Sequence, residues 1–232
     1  MLYVLLEPAR LGEDFWKHAW PALSADRQRK VRRFSFARDK VLSAAAFLLL
    51  RLGLRREYGI TAMPACGVAA GGKPFLLDGT AHFSLSHCRQ AVVCALGKTP
   101  LGADVEPWSS FTPQLFGPSM QARIFAPEEQ ESVRQAPCQE LAACALWVAK
   151  ESVCKCTGQG IDDTMPFLLR RTDMRVDSYT FPAQKISAAV CRHAHDNATP
   201  LACHEISPEA MRHFLQELLT PAAAGATFPH NP

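Results

Sequence analysis

The segment Pro100-Leu101-Gly102-Ala103-Asp104-Val105-Glu106 constrains this chain more than any other. Leu101, Ala103 and Val105 alternate with Asp104 and Glu106, the period of a strand with one face on a core. Two like charges on the other face repel unless something positive lies between them. A hard divalent cation is the usual partner, and Mg²⁺ takes a few carboxylates, keeps some waters and binds substrate phosphates. A third acid, Glu151, lies in the helical run Trp147-Val148-Ala149-Lys150-Glu151-Ser152 and can close such a site from a neighbouring element. Carboxylate-held Mg²⁺ points to phosphoryl chemistry.

The 232 residues suffice for one large domain or two small ones. A net charge of +3 excludes a polyanion binder as a whole, and no nucleic-acid partner is expected. Charge clusters locally instead. Arg27, Arg29, Lys30, Arg32, Arg33, Arg38 and Lys40 face only Asp26 and Asp39, as a solvated helix face or an anion site. The apolar start Met1 to Leu6 lacks the basic flank of a signal peptide and reads as a first strand. The longest apolar run, Val41 to Leu50, is about half of what a membrane span needs. A soluble, cytoplasmic protein with no membrane partner is expected. The nine cysteines are scattered in a chain too large to need stapling. Cys191, His193 and His195, with Cys203-His204 following, offer a soft-metal face, but in no established ligand spacing, and packing roles explain them as well.

The pattern predicts a strand over 2–6, a short helix near 14–20, and a basic helix capped by Ser24 and running toward Phe34. A long buried helix follows over 38–58, stopped by Gly59, then a turn at Gly71-Gly72-Lys73-Pro74. Strands are expected over 81–86, 91–96 and 101–106, the middle one apolar on both faces and therefore central. Residues 107–127, rich in Pro, Ser, Phe and Gly, read as a linker or an exposed binding loop. Phe111 and Phe116 there are either tucked into a junction or exposed for docking a partner. A helix opening at Pro127 follows, then one from about Pro137 to Thr157, ended by Gly158-Gln159-Gly160. On the latter, Glu151 and Lys155 share the inward stripe with Trp147, as catalytic groups or as a structural pair. Strands near 167–171, 178–181 and 186–193, a helix over 208–219 and a frayed tail over 221–232 complete the chain. The expected fold class is α+β. Two similar halves, 1–107 and 108–232, would each hold a small antiparallel sheet packed with helices, related by a pseudo-twofold.

His82-Phe83-Ser84-Leu85-Ser86-His87, the Gly102–Glu106 segment and Trp147-Val148-Ala149-Lys150-Glu151-Ser152-Val153-Cys154-Lys155, preceded by Gly72-Lys73-Pro74, together resemble the 4′-phosphopantetheinyl transferase superfamily. Spacing and length are similar to its monomeric, surfactin-synthetase-activating type. The resemblance implies transfer of the phosphopantetheine arm of coenzyme A to a serine of an apo carrier protein, with Mg²⁺, releasing 3′,5′-ADP. The product is a holo carrier protein for fatty-acid, polyketide or nonribosomal-peptide synthesis. It implies Asp104, Glu106 and Glu151 as metal ligands, Glu151 also as base, and Lys155 at the leaving phosphate. Arg27, Lys30, Lys73, Ser86 and His87 would bind coenzyme A. One departure stands out. The family's nucleotide-contacting arginine in the long helix is Leu42 here, which leaves open whether Arg38 or Lys40 substitutes or coenzyme A binds more weakly.

The rival readings explain less. A serine hydrolase built on Ser84 or Ser86, His87 and Asp104 lacks a Gly-x-Ser-x-Gly elbow. Another Mg²⁺-dependent phosphotransferase or nuclease accounts for the acids but not for Trp147–Lys155. A non-catalytic, carrier-binding relative has no need of three acids and Lys155.

Overall fold

Strand β1 (Leu2–Leu6) carries no charged side chain and has buried residues on both faces, so it must be covered on both. The computed structural model of the chain, which describes residues 1–196 and 199–220, shows how. β1 pairs antiparallel with β5 (Ala91–Gly97), which pairs antiparallel with β4 (His82–His87). On its other side β1 pairs in parallel with β9 (Cys203–Ile206). These form a four-stranded sheet in the order β4-β5-β1-β9. A second sheet joins β6 (Leu101–Pro107), β8 (Ile186–His193) and β7 (Met174–Phe181), antiparallel throughout and in the order β6-β8-β7.

Alternation along the strands stacks the layers. Val4, Val93, Ala103, Val105, Ala188 and Val190 form part of one buried layer between the sheets. The outward face of the first sheet, with Tyr3, Leu5 and Leu96, packs on α3 (Ala37–Tyr58), whose residues 41–50 are all buried. The outward face of the second, with Ala189 and Cys191, packs on α6 (Gln139–Thr157). The order is helix, sheet, sheet, helix. Both long helices end on a left-handed glycine, Gly59 at φ 67° and Gly158 at φ 77°. The basic helix α2 (Ala25–Arg32) starts where Ser24 Oγ accepts from Arg27 N at 3.3 Å. The remaining helices are α1 (Phe15–Ala19), α4 (Pro118–Ile124), α5 (Pro127–Gln135) and α7 (Pro208–Leu219).

The α+β class is therefore as expected, with several departures. Strand β6, assigned by sequence to the first half, pairs with β8, because the short link 98–100 crosses from one sheet to the other. β9 and the hairpin β2 (Cys66–Val68)–β3 (Pro74–Leu76) are strands too short to carry a pattern. Residues 167–171 form no strand; a 3₁₀ turn, Met165–Arg170, lies there. The tail 221–232 lies outside the described residues. Segment 107–127 is no simple loop, since it holds a 3₁₀ turn, Trp108–Phe111, and α4. Phe111 and Phe116 are buried, with ring centres 5.1 Å apart, and Phe116 lies 6.2 Å from Trp147 and 5.3 Å from Phe125. Docking through these two rings is overturned: they are core. Phe116→Leu should lower stability by about 1 kcal/mol in urea unfolding, whereas an unchanged midpoint would put the ring outside the core. No helix among the described residues is long and apolar enough to cross a membrane.

Candidate active site

The face of β6 that meets α6 carries Gly102, Asp104 and Glu106. A Cβ on Gly102 would overlap Ser152 O and Cys156 N, so only glycine lets strand and helix approach this closely. The approach brings Lys155 of α6 onto the strand. Its Nζ donates to Asp104 Oδ1 at 2.6 Å and to Ser86 Oγ at 3.1 Å. Ser86, on edge strand β4, donates to the same Asp104 Oδ1 at 2.7 Å. Ser84 Oγ accepts from Ala103 N at 2.9 Å, tying the edges of the two sheets together. No histidine stands between serine and aspartate, so the hydrolase triad is not formed.

Asp104, Glu106, Glu151 and Lys155 therefore gather where β4, β6 and α6 meet. Asp104 is 3% exposed, and its Oδ2 and Glu151 Oε1 are buried without a hydrogen-bond partner among the described residues. Burial, aided by the charges of Asp104 and Glu151, pushes the Glu106 carboxyl up to about 7. Burial and then Asp104 raise Glu151 as well. One ammonium thus offsets three carboxylates, and the site is short of positive charge. Among the described residues no group of three or more His, Cys, Asp or Glu side chains is set to hold a metal ion as it stands. That applies to the Cys191–His195 face too. β8 ends at His193, Cys191 is buried beneath α6, and the His193 and His195 rings stack at 5.3 Å.

Beside the acids opens a cleft of about 680 Å³ between α2, α3 and the β2–β3 hairpin. Arg27, Arg29, Lys30, Arg33, Phe47 and Phe83 are among its walls. Arg27 lies 5.3 Å from the centre of the Phe47 ring and donates to Ser43 Oγ at 3.4 Å. Desolvation first, then Arg27, lowers the Lys30 pKa. His87, at the end of β4, links the two regions. Desolvation by the surrounding protein, and then Lys30, Lys155 and Arg27, hold its pKa below the usual value. Lys73 faces away from the cleft, although its neighbours Gly72 and Pro74 line it. Its ammonium donates to Leu101 O at 2.9 Å and Cys156 O at 3.0 Å, fastening the hairpin turn to β6 and α6.

Of the residues singled out by sequence, Asp104, Glu106, Glu151, Lys155 and Ser86 thus stand together. Arg27 and Lys30 line the cleft, His87 lies between, and Lys73 supports. Missed were Arg33, Phe47, Phe83 and the hairpin wall at Cys66 to Val68. The available signal was that Arg33 belongs to the same basic run and that Gly71-Gly72 sits between Val68 and Phe75. Lys150 was missed too, although it adjoins Glu151; it is fully buried and ion-paired with Glu129.

Known proteins carry the same arrangement of sequence. The profile of the 4′-phosphopantetheinyl transferase superfamily matches residues 100–207, from β6 to β9. A 4′-phosphopantetheinyl transferase of Bacillus subtilis is 31% identical over 158 residues, covering 66% of this chain and 67% of that protein. The 4′-phosphopantetheinyl transferase psf-1 of Bacillus pumilus is 26% identical over 205 residues, 86% of this chain and 85% of that protein. The 4′-phosphopantetheinyl transferase gsp of Aneurinibacillus migulanus is 33% identical over 168 residues, 69% and 66% of the two chains. With this similarity on top of the acids, Lys155 and the basic cleft, the chain belongs to the 4′-phosphopantetheinyl transferase superfamily.

Proposed function

We infer that this chain moves the 4′-phosphopantetheine arm of coenzyme A onto a serine of an apo carrier protein, with Mg²⁺, releasing 3′,5′-ADP. The observation that carries this reading is the adjacency of two regions across His87. One is a cluster of acids short of positive charge, and the other is a cleft rich in it. Coenzyme A has matching parts, a pyrophosphate and a nucleotide with a further phosphate.

The donor set fits a hard divalent cation. It consists of carboxylate oxygens from Asp104, Glu106 and Glu151, of which Asp104 Oδ2 and Glu151 Oε1 are buried and unpartnered. Mg²⁺ bound there supplies a Lewis acid and a template for the pyrophosphate. The chain's own groups do the rest. Glu151, with its raised pKa, is a stronger base than a free carboxylate and takes the proton of the carrier serine hydroxyl. The serine oxygen bonds to the phosphorus that bears pantetheine, and the bond from that phosphorus to the bridging oxygen breaks. Lys155, 32% exposed at its side chain, neutralises the negative charge that grows on the departing 3′,5′-ADP. Arg27 and Lys30 take the nucleotide's phosphate, Ser86 and His87 border the pyrophosphate, and Lys73 holds the wall.

One chain supplies both β6 and α6 to the site, which supports action as a monomer. The strand order β4-β5-β1 recurs as β7-β8-β6, and each set packs on one long helix, α3 or α6. We propose two pseudo-twofold halves on that ground, the second opening with β6 rather than after it. We place the enzyme in the cytoplasm, where its nine free thiols would persist.

The deciding experiment is mass spectrometry of an apo carrier protein incubated with coenzyme A and Mg²⁺. A gain of one phosphopantetheine arm is expected; no gain with any apo acyl or peptidyl carrier would leave a non-catalytic relative. A second measurement tests the metal reading. In the folded chain Glu106 keeps its proton to about pH 7, against 4.5 ordinarily. Unfolding therefore releases a proton between these values, and stability falls as pH rises through them. Mg²⁺ favours the ionised acids, so it should raise the melting temperature more at about pH 8 than at about pH 5.5. Equal shifts at both would separate Mg²⁺ from Glu106. Charge removal in the cleft, Arg27→Ala with Lys30→Ala, should raise KM for coenzyme A about tenfold or more and for dephospho-coenzyme A less. Equal losses would return both residues to the role of a solvated face.

A further inference from the structure

We propose that Cys156 and Cys191 are a modification site, a thiol pair that a peroxide converts to a reversible disulfide and that lowers turnover when joined. The bond itself is independent of the transfer reading, and only its effect on turnover rests on that reading. The pair owes its closeness to the glycine that lets α6 lie on the sheet. Gly102 of β6 is the cross-strand partner of Cys191 of β8, so both point to the face that α6 covers. A Cβ on Gly102 would lie 2.2 Å from Cys156 N. Residues directly opposite in an antiparallel pair hold their Cβ positions about 5 Å apart. Cys191 therefore stands beside Cys156, and Gly102 has no side chain to separate them. Cys156 Sγ points down onto the sheet, where it donates to Pro100 O at 3.6 Å, and Cys191 Sγ has only a long contact to Arg192 O at 3.9 Å. Both residues are buried in one cluster, at the joint of the catalytic helix and the strand behind the acids.

The two sulfurs have different roles. Cys156 lies in the last turn of α6, two residues before the exposed Gly158, and is 6% exposed, whereas Cys191 has no exposure. Cys156 is thus the sulfur that a small oxidant reaches. The Cys191 thiol beside it, and then the Lys73 ammonium, hold Cys156 below the usual thiol value, while Cys156 and burial push Cys191 up. Burial raises other core thiols, among them Cys88, Cys144 and Cys154. With hydrogen peroxide, the Cys156 sulfur attacks one oxygen, the O–O bond breaks, and the leaving hydroxide takes a proton as water. The resulting sulfenic acid is attacked by Cys191, the S–O bond breaks, and its hydroxide leaves with the Cys191 proton as a second water. Two thiols and one peroxide thus become one disulfide and two waters. In a reducing compartment such a bond is transient, as a redox-sensing disulfide is.

The bond reaches the chemistry through Lys155, the residue before Cys156. Joining the sulfurs draws them from contact to covalent distance. The helix cannot sink toward the sheet to allow this, because its backbone already fills the space above Gly102. The last turn must rotate or slide instead, and Lys155 moves with it, away from its contacts with Asp104 Oδ1 at 2.6 Å and Ser86 Oγ at 3.1 Å. A misplacement of about 1 Å costs up to about 10²-fold in rate. Lys73 donates to Cys156 O at 3.0 Å, so the hairpin wall of the cleft is drawn by the same shift.

The test treats the whole protein with hydrogen peroxide, digests it without reductant and maps the peptides by mass spectrometry, beside turnover with coenzyme A, Mg²⁺ and an apo carrier protein. Wild type should yield a linked Cys156–Cys191 peptide, two hydrogens lighter than its parts. The link should accumulate in step with a fall in kcat of about tenfold or more, and dithiothreitol should reverse both. Cys191→Ala should match wild-type kcat before oxidation and form no link, leaving a sulfenic acid on Cys156 that dimedone traps. A wild type with no linked peptide, or with Cys156 joined to a different thiol, would overturn the pairing. A linked peptide at unchanged kcat would make the bond a mere staple and overturn its effect on turnover. A linked peptide in a protein that transfers no arm even before oxidation would uphold the pairing and sink the transfer reading, a result distinct from the others.

Discussion

Asp104→Ala, Glu106→Ala and Glu151→Gln should each lower kcat for phosphopantetheine transfer by about 10²–10⁴-fold, while Glu106→Ala and Glu151→Gln melt no lower than wild type. The unusual half of that expectation is stability. Asp104 is 3% exposed and shares its surroundings with Glu106 and Glu151, whose carboxyls burial and mutual repulsion already push up. Removing Glu106 or the charge of Glu151 relieves its neighbours, so without Mg²⁺ these two variants should melt at the wild-type temperature or above it, whereas Asp104→Ala takes the acceptor from Lys155 Nζ and Ser86 Oγ and should melt lower. The gain in melting temperature that Mg²⁺ gives wild type should shrink in all three. Lys155→Ala belongs to a different class. It too should lose kcat, yet it leaves Asp104 without the ammonium at 2.6 Å and should melt lower. Steady-state kinetics beside thermal melts, with and without Mg²⁺, separate these cases. Wild-type turnover in the acid variants would end the metal assignment. A change confined to KM for coenzyme A in Glu151→Gln or Lys155→Ala would leave that residue a binding group only.

The second large effect is expected at Lys150, one residue before the proposed base. Its ammonium has no solvent exposure and spends all three donors, on Glu129 Oε2 at 2.9 Å, Met165 O at 2.8 Å and Pro166 O at 3.0 Å. The same Glu129 Oε2 accepts from Ala126 N at 2.8 Å, at the start of α5. One buried cation thus joins α5, α6 and the 3₁₀ turn at Met165–Arg170. Lys150→Met keeps the length of the side chain and removes the charge, stranding Glu129 and two carbonyls. We expect a loss of about 3–5 kcal/mol in denaturant unfolding, and a smaller loss for Glu129→Gln. Combining the two should cost less than the sum of the singles, because the carboxylate is no longer left unpaired. A Lys150→Met protein within about 0.5 kcal/mol of wild type would mean that the clamp is not what holds α6.

What was legible beforehand is what local chemistry decides. Ser24 caps α2, and Gly59 and Gly158 stop α3 and α6, each through bonds within a few residues. The alternation of β6 put Asp104 and Glu106 on one face, and the helical spacing of Glu151 and Lys155 put those on another. What the pattern does not hold is the partner of each face. β9 has four residues and β2 and β3 three each, so they are strands only because another strand lies beside them. Phe111 and Phe116 follow no period because they come to Trp147 from a 3₁₀ turn and a bend. The cleft draws on residues near 24–34, 47, 66–74 and 83, which nothing in linear order brings together. Lys150 looked like any helix lysine, since its burial depends on Glu129 and on the carbonyls of Met165 and Pro166, just before the segment that read as a strand.

The parallel pairing of β9 with β1 has a consequence for how the molecule comes into being. β1 is the earliest strand of the described chain to leave the ribosome, and its neighbours are β5 and then Cys203–Ile206. Until that late segment appears, one edge of β1 stays open, and its row of unpaired N–H and C=O groups is available to any other strand. During synthesis the nascent chain thus carries an unfinished sheet for most of its length, with β6 and then α6 made before the segment that closes it. Closure by contacts this distant in sequence is slow, and the waiting period is when the chain is most prone to associate with copies of itself. Yield of the folded enzyme should therefore depend on growth temperature and expression rate more than its final stability would suggest.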